Sequence, residues 1–137
     1  MIVTITPISG GLSPSVSTAP LGTGESSTVI APPDKSIFHR ILILGSLTRS
    51  LITIPLPDGA EGVPMDVIAT MLAMNALGVP VEIVGAQIEL QGVGLRGLRA
   101  PTHHLHCANS GTTARLLLGL LAGQSFEATL TGDESLE

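Results

Sequence analysis

The sequence predicts a mixed α/β (α+β) fold built from a repeated β-α-β-α-β-β unit, one unit complete and a second begun. Short strand-like runs alternate with amphipathic helical runs along most of the chain. The order of elements then restarts late in the sequence. An ungapped shift also lays Ala31–Ile54 on His106–Thr129, matching a helix start, an arginine and the following strand.

Each element has its own local reason. Met1–Pro7 contains Ile-Val-Thr-Ile-Thr, the alternation of a short strand. Residues 9–28 are dense in Ser, Thr, Gly and Pro and read as a flexible loop or insertion. Thr28–Ala31 is a short strand stopped by Pro32-Pro33. Asp34 is an N-cap for a helix from about Lys35 to Thr48, with Ile37, Ile41, Leu44 and Leu47 forming its apolar stripe. Leu51–Leu56 is a strand rich in β-branched residues, and Pro57–Pro64 a loop. Asp66 then caps a second helix through Val67, Met71, Met74 and Leu77, with both methionines facing the core and Gly78 and Pro80 ending it. Val81–Val84 and Gln87–Leu90 flank Gly85-Ala86, the pattern of a hairpin with a type II′ turn. After the Gly-rich stretch Gly92–Pro101 come a strand at His104–Cys107 and a cap at Asn109 or Ser110. A helix over Thr112–Ala122, closed by Gly123, and a strand at Phe126–Leu130 complete the order.

From Thr28 the order is therefore β, α, β, α, β, β, then β, α, β. In the ungapped shift Asp34 falls on Asn109, Arg40 on Arg115, Leu42 on Leu117 and Leu51 on Phe126. Unit one occupies about 28–100 and unit two about 103–137. The counterpart of Asp66 would fall past Glu137, so residues 1–137 are expected to be the N-terminal portion of a larger fold. Faces that would meet further units are then left open, and self-association is expected.

Composition narrows the function. Its 137 residues suit one domain, and with 44% hydrophobic and only 12% charged residues the chain is too apolar to be disordered. A net charge of −5 gives no electrostatic footprint for nucleic acid. The single cysteine forbids an internal disulfide and fits a reducing, cytoplasmic compartment. No apolar run approaches a membrane span, and the N-terminus lacks the pattern of a signal peptide.

The chemistry concentrates at two helix starts. Lys35, the only lysine, sits where the helix dipole disfavours a cation, beside Ser36 and one turn before Arg40. With free N–H groups at the helix start, these side chains could hold a phosphate or carboxylate. The plain alternative is an exposed lysine and an ordinary helix arginine. The second start, Asn109-Ser110-Gly111-Thr112-Thr113-Ala114-Arg115, offers hydroxyls, N–H groups and a glycine that lets a ligand approach. Its plain alternative is a well-capped helix. Two such turns on one edge would suit a reaction that joins two anionic substrates.

Other candidates are weaker. His104 and His106 share a strand face beside His103, but acidic or cysteine ligands are missing at useful spacing, so no metal is expected. Cys107 fits a buried apolar position better than an activated thiolate. Asp58, Glu61 and Asp66 read as loop polarity and a helix cap. Gly22-Thr23-Gly24 lacks the Lys-Ser/Thr of a P-loop, and no cofactor is expected.

Three segments carry a family resemblance. Pro32-Pro33-Asp34-Lys35-Ser36-Ile37-Phe38-His39-Arg40 resembles Pro-Gly-Asp/Ser-Lys-Ser-Ile-Ser-His/Asn-Arg of the 5-enolpyruvylshikimate-3-phosphate synthases (3-phosphoshikimate 1-carboxyvinyltransferases). Residues 109–123 resemble that family's Asn-Ser/Ala-Gly-Thr-x-x-Arg helix, and Leu130-Thr131-Gly132-Asp133 the stretch after it. The resemblance implies an enolpyruvyl transferase fold of two domains, each of three β-α-β-α-β-β units, with the active site between them. It implies transfer of the enolpyruvyl group of phosphoenolpyruvate to the 5-hydroxyl of shikimate 3-phosphate, on the route to chorismate. Matched residue by residue, Lys35 would be catalytic and contact both substrates. Ser36 and Arg40 would hold shikimate 3-phosphate, with Thr112 nearby. Asn109 and Gly111 would border the phosphoenolpyruvate site, where glyphosate also binds, and Arg115 would give electrostatic support.

The sequence departs from the family at Pro33 and Phe38, where Gly and a small polar residue are usual, and in the length of 13–27. The family's next arginine and its second-domain groups lie beyond Glu137, so a chain inactive alone is expected, served by a complementing chain or a second copy. The competing readings are a nucleotide-sugar enolpyruvyl transferase fragment and a non-catalytic anion-binding or assembly module.

Overall fold

The computed structural model describes residues 2–6, 27–30, 34–134 and 136. The elements are β1 (Ile2–Thr6), β2 (Ser27–Ile30), α1 (Lys35–Ser46), β3 (Leu51–Pro55), a 3-10 turn (Ala60–Gly62), α2 (Met65–Ala76), β4 (Val81–Val84), β5 (Gln87–Gln91), β6 (Leu105–His106), α3 (Gly111–Leu121) and β7 (Leu130–Thr131). Of the loop expected over 9–28, Ser27 and Thr28 begin β2 and the rest lies outside the described residues.

Five strands form one sheet in the order β2-β1-β3-β5-β4, with every neighbouring pair antiparallel. β2 and β3 both oppose β1, so they run parallel to each other with β1 between them. β3 and β4 stand in the same relation around β5. Helices α1 and α2 therefore each cross over an intervening antiparallel strand. In the second unit β6 and β7 pair directly and in parallel across α3.

Register decides what the sheet buries. Ile52 faces Leu90 and Ile54 faces Ile88 across β3 and β5, and all four are 2% exposed or less. The side-chain period of two sends Thr53 and Glu89 to the other face. Against the apolar face pack Leu42 of α1 and Val67 and Met74 of α2, while Leu117 of α3 extends the core. A Cβ at Gly45 would come 2.5 Å from Ile52 Cδ1, so this glycine sets how closely α1 approaches β3.

Several local expectations hold. Gly85 takes φ +59° and Ala86 a negative φ, as a type II′ turn requires. Helix α2 ends in a Schellman motif. Gly78 adopts φ +84°, the Val79 N–H donates to the Met74 carbonyl, and the Gly78 N–H donates to that of Asn75. Met71 and Met74 are buried.

Others are corrected. In α1 the buried residues are Phe38, His39, Leu42, Ile43, Gly45 and Ser46, while Leu44 of the expected stripe is 63% exposed. The helix is apolar nearly all round, so packing against β5, α2 and α3 chose its inner face. Asp66 is not the cap of α2: Pro64 holds that position and Asp66 lies in the first turn. Of the two caps expected for α3, Ser110 is the one used, which shifts the repeat by one residue from the counterpart of Asp34; Ala108 just before it takes φ +50°. Gly123 takes no positive φ, and the final strand lies at Leu130–Thr131.

Candidate functional site

The starts of α1, α2 and α3 meet through one chain of polar side chains. At α1, Asp34 is extended and its Oδ1 accepts the N–H groups of Ser36 at 2.7 Å and Ile37 at 3.3 Å. The hydroxyl and N–H of Ser36 hold the Asp34 carboxyl below its ordinary value. The Ile37 and Phe38 N–H groups also donate to the Asp34 carbonyl. This cap corrects one expectation: the N–H groups at the start of α1 are largely occupied, so an anion there would have to be held by side chains. Lys35, Ser36 and Arg40 are all exposed for that role. Arg40 folds back along the helix, its Nη1 donating to the Ser36 carbonyl at 2.9 Å.

Lys35 is not left pointing into solvent. Its Nζ lies 2.9 Å from Asp66 Oδ2, and Asp66 Oδ1 accepts the N–H of Val67 at 3.1 Å. A carboxylate in the first turn of α2 is also favoured by the helix dipole. Burial pushes the Asp66 carboxyl upward, but the Lys35 hydrogen bond and charge outweigh it and hold the group below its ordinary value.

Behind this pair lies His39, 1% exposed. Its Nε2 is 3.9 Å from Asp66 Oδ2, and its Nδ1 is 2.8 Å from Thr70 Oγ1. Thr70 Oγ1 is 2.7 Å from Thr113 Oγ1, which in turn donates to Ser110 Oγ at 2.7 Å. Both threonine hydroxyls also lie 3.3 Å from the Asp66 carbonyl. Burial lowers the tendency of His39 to take a proton, Lys35 and Arg40 add to that, and Asp66 pulls the other way without prevailing. His39 is thus a neutral imidazole in a closed network, and among the described residues no buried side-chain N or O lacks a partner.

The start of α3 differs from that of α1. Ser110 Oγ accepts the Thr113 N–H at 3.2 Å, while the N–H groups of Gly111 and Thr112 bond to nothing among the described residues. Because Ser110 is the cap, Asn109 is left exposed beside them, as are Thr112 and Arg115. The fold itself makes no demand for glycine at 111. Its φ is ordinary, and an added Cβ would meet Arg115 Nη1 and Leu136 Cδ2 only at 3.8 Å.

The structure thus brings two predicted helix starts to one end of the molecule and joins them through the start of α2. The second start offers backbone donors and the first offers cationic and hydroxyl side chains. Sequence reading missed His39, Thr70 and Thr113 as members, and Asp66 as more than a cap. A lone hydroxyl at Thr70 between Ala69 and Met71, on a helix face otherwise apolar, was the available signal.

The remaining candidates lie elsewhere. Among the described residues no group of three or more His, Cys, Asp or Glu could hold a metal ion. His106 Nδ1 instead accepts the Ala108 N–H at 3.0 Å. Cys107 is fully buried, and burial pushes its thiol up. A cavity of about 630 Å³ forms an apolar groove between the outer face of α2 (Met65, Ile68, Leu72) and residues 103–108. None of the predicted substrate residues lines it. No described helix is long and apolar enough to cross a membrane.

Known proteins are similar over the same stretch. The family model for EPSP synthase (3-phosphoshikimate 1-carboxyvinyltransferase) matches residues 22–137. A 3-phosphoshikimate 1-carboxyvinyltransferase of Acidithiobacillus ferrooxidans is 47% identical over 108 residues, covering 77% of this chain and 24% of that protein. One of Methylococcus capsulatus is 45% identical over 122 residues, covering 88% of this chain and 27% of that protein. The solved EPSP synthase of Acinetobacter baumannii superposes with a TM-score of 0.67 at 30% identity, covering 99% of this chain and 27% of that one. The chain spans about a quarter of the length of the curated relatives it matches.

Proposed function

The chain belongs to the EPSP synthase family, and from that premise we propose that it forms one wall of an enolpyruvyl transferase site. The reaction joins phosphoenolpyruvate to the 5-hydroxyl of shikimate 3-phosphate and releases inorganic phosphate. In this reading Lys35 contacts both substrates. Ser36 and Arg40 hold shikimate 3-phosphate, with Thr112 close by, and Asn109 and Gly111 border the phosphoenolpyruvate position. Arg115 adds positive charge behind it.

The observation that carries the proposal is the meeting of the α1 and α3 starts, one presenting Lys35 and Arg40 and the other the N–H groups of Gly111 and Thr112, which bond to nothing among the described residues. The freedom of Gly111 from any structural demand supports close approach of a ligand there. The burial of Cys107 removes the support a reactive cysteine would have lent to a nucleotide-sugar transferase.

Catalysis needs more than this wall. Two multiply charged substrates require several cations in a closed, dry cleft, whereas Lys35, Ser36, Arg40, Asn109 and Thr112 are exposed. In the proposal an opposite wall supplies the remaining cations, in the cytoplasm. Titration calorimetry with shikimate 3-phosphate tests the reading. The unaltered chain binds, and Lys35→Ala and Arg40→Ala each lose affinity; no heat from the unaltered chain leaves only a structural module.

A further inference from the structure

Asp66 stands at odds with an anion site. It is a carboxylate 2.9 Å from the lysine that would meet two anionic substrates, and by Coulomb's law it opposes their binding. The α2 dipole favours a carboxylate here but does not require one, because Pro64 is the cap and the Asp66 side chain bonds only the adjoining Val67 N–H within its own helix. Its backbone is pinned, however. The carbonyl of Asp66 lies 3.3 Å from the hydroxyls of both Thr70 and Thr113, which are fully buried. One carboxylate oxygen is fixed by Val67, and the other faces Lys35 and the His39 ring. The carboxylate is therefore held firmly, while Lys35 is a long side chain, 61% exposed, with several free torsions. Its charge also sits at a helix start that disfavours it.

We propose that Asp66 is a positioning residue for Lys35: it anchors the ammonium group over the junction of the three helix starts, so that the remaining two N–H donors face the anion. The inference rests on the reading of Lys35 as a substrate contact. Ser110, Thr113, Thr70 and His39 serve it by fixing Asp66 relative to α3. The cost in charge repulsion is offset because an ammonium group can donate to the carboxylate and to a phosphate at once.

The proposal predicts a sign that simple electrostatics does not. Removing a negative charge beside an anion site should tighten anion binding; removing the anchor should weaken it. Asp66→Asn keeps the size of the side chain, and its Oδ1 can still accept from Val67. Its amide nitrogen then faces Lys35 and cannot accept a hydrogen bond. Calorimetry with shikimate 3-phosphate on the 137-residue chain should give about two- to fivefold weaker binding for Asp66→Asn. The effect should vanish in a Lys35→Ala background, and Asp66→Glu should recover part of it. Tighter binding by Asp66→Asn, or an equal loss with and without Lys35, overturns the proposal.

A second readout needs no substrate. Lys35 is the only lysine, so an amine reagent such as acetic anhydride leaves stable amides only there and at the chain's terminal amine. Release from Asp66 should raise its modification rate about two- to fivefold in Asp66→Asn, with the terminal amine as internal control. An unchanged rate overturns the proposal. If the unaltered chain binds no shikimate 3-phosphate, the substrate reading fails, and the amine rates still decide whether Asp66 anchors Lys35.

Discussion

Thr70→Val removes one buried hydroxyl from the middle of the polar chain and changes almost no volume. Thr70 Oγ1 has three neighbours: His39 Nδ1 at 2.8 Å, Thr113 Oγ1 at 2.7 Å and the Asp66 carbonyl at 3.3 Å. Thr113 keeps Ser110 Oγ and the Asp66 carbonyl as partners, so its loss is small. His39 Nδ1 keeps nothing, in a side chain 1% exposed. An unsatisfied buried polar group costs about 1–3 kcal/mol, and the new methyl returns up to about 0.8 kcal/mol. The net destabilisation is about 1–2 kcal/mol, which for a chain of this size lowers Tm by about 3–7 °C. Urea denaturation of Thr70→Val, His39→Leu and the double variant measures it. If the cost arises at His39, Thr70→Val is nearly neutral in the His39→Leu background. A single-variant cost below about 0.5 kcal/mol, or full additivity, means that His39 does not depend on this hydroxyl.

Three further outcomes are expected. Burial holds the His39 pKa below 6.5, so the unfolded chain takes the proton first as pH falls. Stability should therefore decline below pH 6.5 until the folded-state pKa is passed. The contributions of Asp34 and Asp66, whose pKa values lie below 3.8, are lost only at lower pH; denaturation midpoints should fall in the upper window, and His39→Leu should flatten that fall. Cys107 is fully buried with its thiol pushed up, so a thiol reagent should leave the native chain unmodified and label it at once in urea; rapid native labelling contradicts the packing. Met65 and Leu72 on α2 are 75% and 63% exposed beside the apolar groove, so the chain should self-associate and Leu72→Lys should shift sedimentation toward monomer; a monomeric unaltered chain contradicts this.

Local signals in the sequence were read well where one residue decides the geometry. Gly85-Ala86 between alternating runs fixes its hairpin, Asp34 its cap, and Gly78 the end of α2. The inner face of α1 was not legible. Ile37, Phe38, Ile41, Leu42, Ile43 and Leu44 offer apolar surface on nearly every side, and only contact with the sheet and two other helices selects Phe38 and Leu42 over Leu44. Strand order was also out of reach, because β1, the element just before β2, lies between β2 and β3 in the sheet. The two helix starts were legible as motifs, but what joins them was not. Lys35 and Asp66, and Thr70 and Thr113, are distant in sequence, and an acidic residue at a helix start has the same local signature whether it caps or pairs.

If the three helix starts form one anion-binding wall, shikimate 3-phosphate must perturb all three together. Titrating shikimate 3-phosphate into the nitrogen-15-labelled chain and following its amide resonances tests that most directly. Saturable shifts should concentrate in residues 35–40, 66–70 and 109–115 and shrink in Lys35→Ala. An absence of shifts, or shifts confined to the groove around Ile68, Leu72 and His104, would contradict it.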